Sequence, residues 1–293
     1  MEQFKGRVAV VTGGASGIGF ALARRLAREG CRIVLADIEQ AELERARDTL
    51  SAEGAEVLAV RTDVARFDDV ERLAEQTLRA FGAAHIVCNN AGVAGGFGPM
   101  WEISPRAWDW TLGVNLQGVI HGVRVFVPIL LKQEEGHIVN TASAAGLVAF
   151  PFAAPYGISK FGVVALSEAL ALELKAGQAD VGVSVLCPAY VATRIAEVRN
   201  VPGELAAEWA ALGPLPAEKQ KQMEEIAKGV AEGIPPEAVA DAVLDGIRQR
   251  RLYILTHQEM GPYIEGRMKA ILAASPSSRV QGAGQPHGHS SGE

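Results

Sequence analysis

Cysteine is scarce in this chain. Its 293 residues include three, Cys31, Cys88 and Cys187, and no pair is spaced as Cys-x-x-Cys. Each lies beside or within an apolar, strand-like run, so all three read as small buried hydrophobes rather than disulfide partners or metal ligands. A zinc-dependent alcohol dehydrogenase is disfavoured on the same ground, because no Cys/His ligand spacing occurs. The expected compartment is reducing and cytoplasmic. Basic clusters are also missing. With 28 Lys and Arg against 34 Asp and Glu, a formal net charge of −6 and an isoelectric point near 5.6, no nucleic-acid face is expected. No uninterrupted apolar run approaches the roughly 18 residues of a membrane span. The start, Met1 to Gly6, is short and polar and lacks the charged and apolar regions of a signal peptide.

What is present is an ordinary globular balance, 48% hydrophobic and 21% charged, on a chain long enough to bury a core without staples. The first two-thirds alternates between two periodicities. Short, nearly continuous apolar runs mark strands covered on both faces: Val8–Thr12, Arg32–Asp37, Glu56–Arg61, His85–Asn89, His137–Ala142, Val181–Cys187 and, late in the chain, Leu252–Leu255. Longer amphipathic stretches between them read as helices: Gly19–Glu29, Ala41–Ala52, Asp68–Phe81, Pro105–Lys132 and Pro155–Lys175. The pattern predicts an α/β, Rossmann-type doubly wound sheet of about seven parallel strands with helices on both faces. Residues 1–274 are expected to form one domain, in which 190–233 insert after the sixth strand as a substrate lid. Residues 275–293, rich in Ser, Gly, Pro and Gln, read as a disordered tail in which His287 and His289 are solvated.

Thr12-Gly13-Gly14-Ala15-Ser16-Gly17-Ile18-Gly19 follows the first strand and opens a helix. Glycines there let the backbone turn tightly against a pyrophosphate, while the free amides of the helix N-terminus face the anion. Asp37 ends the second strand, where a carboxylate accepts hydrogen bonds from adenosine ribose hydroxyls and repels a 2′-phosphate. Ile38 and Glu39 follow it and Ser16 occupies the glycine turn, so no cation stands ready for that phosphate. NAD is therefore expected over NADP. Farther on, Tyr156 and Lys160 share one helix face at i,i+4. A phenol is a poor base at neutral pH, and a nearby ammonium together with an oxidised nicotinamide would favour its phenolate. Ser143, just past the fifth strand, can reach the same sheet edge.

Taken together, these residues resemble the single-domain branch of the short-chain dehydrogenase/reductase family, from residue 5 to about 260. The TGxxxGxG turn is matched by Thr12 to Gly19, with Gly13, Ser16, Gly17, Ile18 and Gly19 on the cofactor. The resemblance further implies that Asp63 and Val64 meet the adenine, and that Asn90, Ala91 and Gly92 of the Asn-Asn-Ala-Gly segment line the cofactor site. Pro188, Val191 and Thr193 would hold the carboxamide end. The catalytic set falls on Asn115, Ser143, Tyr156 and Lys160. Tyr156 is then the general acid/base, Ser143 holds the substrate oxygen, Lys160 binds the nicotinamide ribose, and Asn115 supports a water leading from Lys160 to solvent. One motif departs from the pattern: Ala189 replaces the glycine that usually follows Pro188, which is expected to crowd the nicotinamide end slightly.

The implied reaction interconverts a secondary alcohol and a ketone. Phe97, Met100, Trp101, Phe150, Phe152, Tyr190 and Trp209 are candidate pocket residues, pointing to a bulky, apolar or aromatic substrate. The segment Tyr253-Ile254-Leu255-Thr256-His257 resembles family members acting on aryl carbinols, including lignin-type aryl ether alcohols. A 3-oxoacyl-thioester reductase and a steroid reductase of the same family stay open, as does a non-catalytic NAD sensor. His85, His121 and His137 are expected to be structural, and Glu168 and Glu173 to be interface or edge charges. Apolar residues on several faces of the two long helices imply a homo-oligomer, dimer or tetramer. No membrane and no metal enter this reading.

Overall fold

Alternate residues of each strand face opposite sides, so the apolar runs bury two surfaces at once. In the computed structural model, which describes residues 3–197, 200–211 and 217–274, those runs become a parallel sheet of β1 (Val8–Thr12), β2 (Arg32–Asp37), β3 (Val57–Arg61), β4 (Ile86–Asn89), β5 (Gly136–Thr141), β6 (Val181–Cys187) and β7 (Tyr253–Leu255). The order across the sheet is β3-β2-β1-β4-β5-β6-β7. Ala9 and Val11 of β1 and Ile33 and Leu35 of β2 face α1 (Gly17–Arg28), α2 (Gln40–Ala52) and α9 (Pro236–Arg248). Val8, Val10, Val34 and Ala36 face the other way, onto α3 (Phe67–Phe81), α5 (Gly118–Gln133) and α6 (Ala154–Ala176). The doubly wound architecture expected from the pattern is the one observed.

The sheet order reverses between β1 and β4, because the chain crosses back through α3 after β3. Loops leaving the carboxyl ends of β1 and β4 therefore diverge, and a crevice opens between them. Residues of the glycine turn, Asp37, Asp63, Asn90 to Gly92, Ser143, Tyr156, Lys160 and the loop after β6 converge on that crevice.

The expected single helix Pro105–Lys132 is two helices joined by a wider turn. Ser104 caps α4 (Pro105–Leu112) by accepting from the Ala107 amide at 3.3 Å, and Pro105 sits where a missing amide costs nothing. A π-helical turn, Gly113–Gln117, then leads into α5. Such turns are frequent at functional sites, and this one carries Asn115. By length and composition, the run Pro105–Gln133 is apolar enough to cross a membrane (mean hydropathy 1.5). In this fold Val119, Phe126 and Leu130 pack it onto the rest of the protein.

After β6 the chain forms α7 (Gly203–Ala211) and α8 (Ala217–Ala231) before α9. Backbone bonds from Ile234 to the Tyr190 carbonyl (3.1 Å) and from Ala192 to the Ile234 carbonyl (2.9 Å) close the base of this excursion. The chain divides into two compact units, Met1–Gln258 and Glu259–Glu293, earlier than the expected boundary at 274. The described part of the second unit consists mainly of helix α10 (Gly261–Ala273). The stretch expected to be a tail, with His287 and His289, lies outside the described residues.

Candidate active site

A cavity of about 460 Å³ runs along the carboxyl edge of the sheet, from Asp37 at one end to Ser143, Tyr156 and Lys160 at the other. Its floor at the β1 end is the glycine turn. Gly13 (φ +61°) and Gly17 (φ +53°) adopt left-handed conformations that a side chain would strain. A methyl on Gly13 would lie 2.8 Å from Ala91 Cα, and one on Gly19 would lie 2.0 Å from the Gly13 carbonyl oxygen. The turn thus packs directly against the loop after β4, and the first amides of α1, at Gly17 and Ile18, border the cavity without acceptors in their own helix. Thr12 joins the two loops: its hydroxyl accepts from the amides of Asn90 (2.9 Å) and Ala91 (3.1 Å).

Asp37 projects into the same crevice. Its Oδ2 accepts from the Ala15 amide (3.1 Å) and its Oδ1 from the Glu39 amide (3.2 Å), and the carboxylate has about four acceptor sites in all. Burial pushes its carboxyl above the ordinary value, and the amides of Glu39, Ala15 and Ile38 pull it back. Asp63 and Val64 border the cavity beyond it, with the Val64 carbonyl 2.9 Å from His121 Nδ1. A glycine cradle too tight for any Cβ, open helix amides and a carboxylate at the next strand end fit a dinucleotide.

At the other end, α6 brings Tyr156 and Lys160 to the end of β5. Lys160 is buried, and its Nζ donates to the Thr141 carbonyl at 2.9 Å and lies 5.6 Å from the Tyr156 ring centre. Burial lowers the amine to about 8. The Ser143 hydroxyl donates to the Pro188 carbonyl (3.3 Å), accepts from the Ala145 amide (3.1 Å) and shares a hydrogen bond with Tyr156. Burial pushes the Tyr156 phenol up, and the Ser143 bond pulls the other way. These are the protein's own groups alone; the cationic nicotinamide named in the expectation is not among them.

Asn115 and Gly19 stand behind the cavity wall rather than in it. The Asn115 side chain is fully buried, exchanging hydrogen bonds with both backbone groups of Val93 (2.8 and 2.9 Å) and donating to Ser159 at 3.3 Å. A Cβ added at Gly92 would lie 3.4 Å from Asn115 Oδ1 and 3.6 Å from Lys160 Nζ. Gly92 therefore keeps open the space between these two groups. Pro188, Ala189, Val191 and Thr193 border the cavity opposite the glycine turn.

The aromatic residues expected to contact substrate are not in the cavity wall. Phe97 and Phe152 pack on each other 6.1 Å apart, and Trp101, Phe150, Phe152 and Tyr190 are largely exposed. The loops 93–101 and 147–153 carry their rings outward, a direction that residue type alone does not encode. The wall is formed instead by Trp110 of α4 and Val114 of the π-helical turn that follows, four residues apart and ahead of Asn115, together with Val93 and Val230. Trp209 of α7 meets Trp110 edge-on at 6.0 Å, and Arg106 of α4 pairs with Glu204 (3.2 Å) and Glu208 (3.6 Å). The i,i+4 spacing of Trp110 and Val114 ahead of Asn115 was the available signal. No group of three or more His, Cys, Asp or Glu placed to hold a metal occurs among the described residues.

The profile of the short-chain dehydrogenases matches residues 7–202. The chain belongs to the short-chain dehydrogenase family. As a short-chain dehydrogenase it is an oxidoreductase acting on CH–OH donors. It is 33% identical to a CLA biosynthesis dehydrogenase/reductase of Lactiplantibacillus plantarum, over 93% of this chain and 95% of that protein. It is 31% identical to a C alpha-dehydrogenase of a Sphingobium species, over 97% and 92%. Among solved structures, a short-chain dehydrogenase/reductase of Burkholderia phymatum in complex with NAD is 43% identical, with a TM-score of 0.89 over 93% of this chain and 96% of that one.

Proposed function

We propose that this short-chain dehydrogenase interconverts a bulky, apolar or aromatic secondary alcohol and its ketone with NAD, using Tyr156 as general acid/base. The observation that carries the reading is the convergence of Ser143, Tyr156 and a buried Lys160 on the far end of the cavity that begins at Asp37 and the glycine turn. Gly13 to Gly19 would hold the pyrophosphate, Asp37 the adenosine ribose, and Val191 and Thr193 the carboxamide. When bound, the nicotinamide supplies the hydride acceptor and a positive charge.

Ser143 holds the substrate oxygen beside the Tyr156 hydroxyl. Tyr156 takes the alcohol proton as hydride leaves the carbinol carbon, and returns it in the reverse direction. Burial pushes the phenol up, and a bound cationic nicotinamide together with Lys160 would favour the phenolate. Lys160 passes the proton on through the space that Gly92 leaves beside Asn115.

Trp110, Val114 and Val230 make the substrate end apolar, which favours a bulky carbinol over a phosphorylated or acyl-carrier-bound substrate. Residues 190–233 act as a lid, held to α4 through Arg106 and Trp110. Three buried free thiols suit the reducing cytoplasm. The exposed Leu131, Ile158 and Leu172 on α5 and α6 support a homo-oligomer.

The test is Tyr156→Phe. NAD reduction with a panel of aryl carbinols is expected to disappear, while NAD affinity, read by fluorescence titration, is retained. A variant keeping most of its rate would remove Tyr156 from its role. Parallel assays with NAD and NADP check the cofactor.

A further inference from the structure

Strand β7 runs beside β6 with Leu255 opposite Cys187. The residues that follow β7 therefore come level with the loop that follows β6. His257 is almost fully buried there, yet it is absent from the cavity wall. Its Nδ1 accepts from the Ala189 amide at 3.2 Å, and its Nε2 lies 3.1 Å from the Tyr190 carbonyl. The Thr256 hydroxyl is 2.8 Å from the same Nδ1.

These partners fix the tautomer. An amide N–H cannot accept, so Nδ1 carries no proton toward Ala189, and a carbonyl cannot donate, so Nε2 bears the hydrogen. One neutral imidazole therefore grips the main chain of two successive residues. On one side of that grip, the Pro188 carbonyl accepts from the Ser143 hydroxyl (3.3 Å) and the Ala144 amide (2.8 Å). On the other side, Val191 bridges to Ile234, and Thr193 stands 3.2 Å from the place of a Cβ on Gly17.

We infer that His257 is a positioning residue: by clamping the backbone at 189–190 it sets Val191 and Thr193 for the nicotinamide half of the cofactor, and it touches neither cofactor nor substrate. The inference rests on the proposed placement of the nicotinamide at this loop. Without the imidazole, the Ala189 amide loses its buried acceptor and the loop is free to shift toward another one.

His257→Phe keeps the ring and removes both bonds. Affinities for NAD and for ADP-ribose, which lacks only the nicotinamide, are measured by calorimetry on the full chain. The expected result is about tenfold weaker NAD binding, the size of one to two net hydrogen bonds, with ADP-ribose held within about twofold. His257→Asn, whose side-chain oxygen can accept from Ala189, is expected to recover part of the loss, and it provides a second reading should the Phe variant fail to fold. Equal weakening of both ligands would mean general support of the fold, and no weakening would mean the loop is held by other contacts; either overturns the proposal. Thr193→Val is run alongside. If it weakens NAD selectively while His257→Phe does not, the His257 proposal alone falls. If neither variant separates NAD from ADP-ribose, the nicotinamide does not lie at this loop and both readings fall.

Discussion

Lys160 Nζ donates to the Thr141 carbonyl from 2.9 Å, which ties the buried amine of α6 to the last residue of β5. One backbone bond does not compensate an ammonium for the loss of water, and the amine drops from 10.5 to about 8. The active-site end is thus a place where stability is given up.

The first expectation concerns that cost. Lys160→Met is expected to inactivate the enzyme and yet stabilise the fold, by on the order of 3 kcal/mol at pH 7. In the unfolded chain the amine keeps its proton up to about 10.5, whereas in the native protein it releases it near 8. Below pH 8 both states are protonated and the whole penalty is present. Between these values the unfolded state binds more protons, so the parent protein gains stability as pH rises. The gap between parent and variant in urea denaturation should therefore narrow from pH 8 to 10.5. A gap independent of pH would contradict burial as the cause.

Gly92→Ala tests the space between Asn115 and Lys160. The added methyl meets its neighbours at 3.4 to 3.9 Å, ordinary contact distances, and Gly92 is not in the left-handed region, so the variant should fold. It fills the room that a bridging water needs. We expect kcat to fall about tenfold, less than the roughly hundredfold or more that a general acid–base step contributes because only the onward proton path is blocked, with KM for the alcohol little changed. Unchanged kcat and solvent isotope effect would exclude a proton path through this gap.

Asp37 is expected to set the choice between NAD and NADP. Asp37→Ser combined with Ile38→Arg removes the charge facing a 2′-phosphate and supplies a cation beside it. The ratio of kcat/KM for NAD over NADP should fall by about a hundredfold or more. A ratio that stayed put would assign the preference to Glu39 or Glu42, which also border the cavity.

Trp110→Ala should discriminate among substrates. Loss of the indole from the cavity wall is expected to lower kcat/KM for a bulky aryl carbinol about tenfold or more, and to spare a small secondary alcohol. Trp101→Ala, at a ring 82% exposed, serves as the contrast and should change neither.

The glycine turn, Asp37, Asn90 to Gly92 and the Ser143, Tyr156 and Lys160 set could all be placed from sequence, because each is tied to a strand end by a short, fixed spacing. The strands were legible for a related reason: burial on both faces leaves an almost uninterrupted apolar signature. The aromatic residues were a different matter. Whether Phe150 or Trp101 points inward depends on loop conformation, and Trp110 reaches the cavity from a helix whose π turn left no mark in the periodicity. His257 was likewise beyond reach, since its partners at 189–190 are brought to it only by the β6–β7 pairing. The spacing of Tyr156 and Lys160 puts both on one helix face, but it does not reveal that the amine is buried and bonded to the Thr141 carbonyl.

Two backbone bonds at Tyr190, Ala192 and Ile234 draw together the ends of everything that lies between β6 and α9. The chain leaves the end of β6 and enters α9 at nearly one point, as through the neck of a purse. The groups proposed to handle the proton sit just past β5, on α6 and in the α4–α5 bend, outside that neck, whereas Val230 and the Trp209 that backs Trp110 lie within it. On the proposed reading, the groups assigned to proton transfer and some of those assigned to substrate thus lie on separable stretches of one gene. On that reading a lineage could exchange the pouch and keep the proton-transfer groups, and a chimera joined at 194 and 234, which retains Val191 and Thr193, is expected to show new tastes with the old reaction.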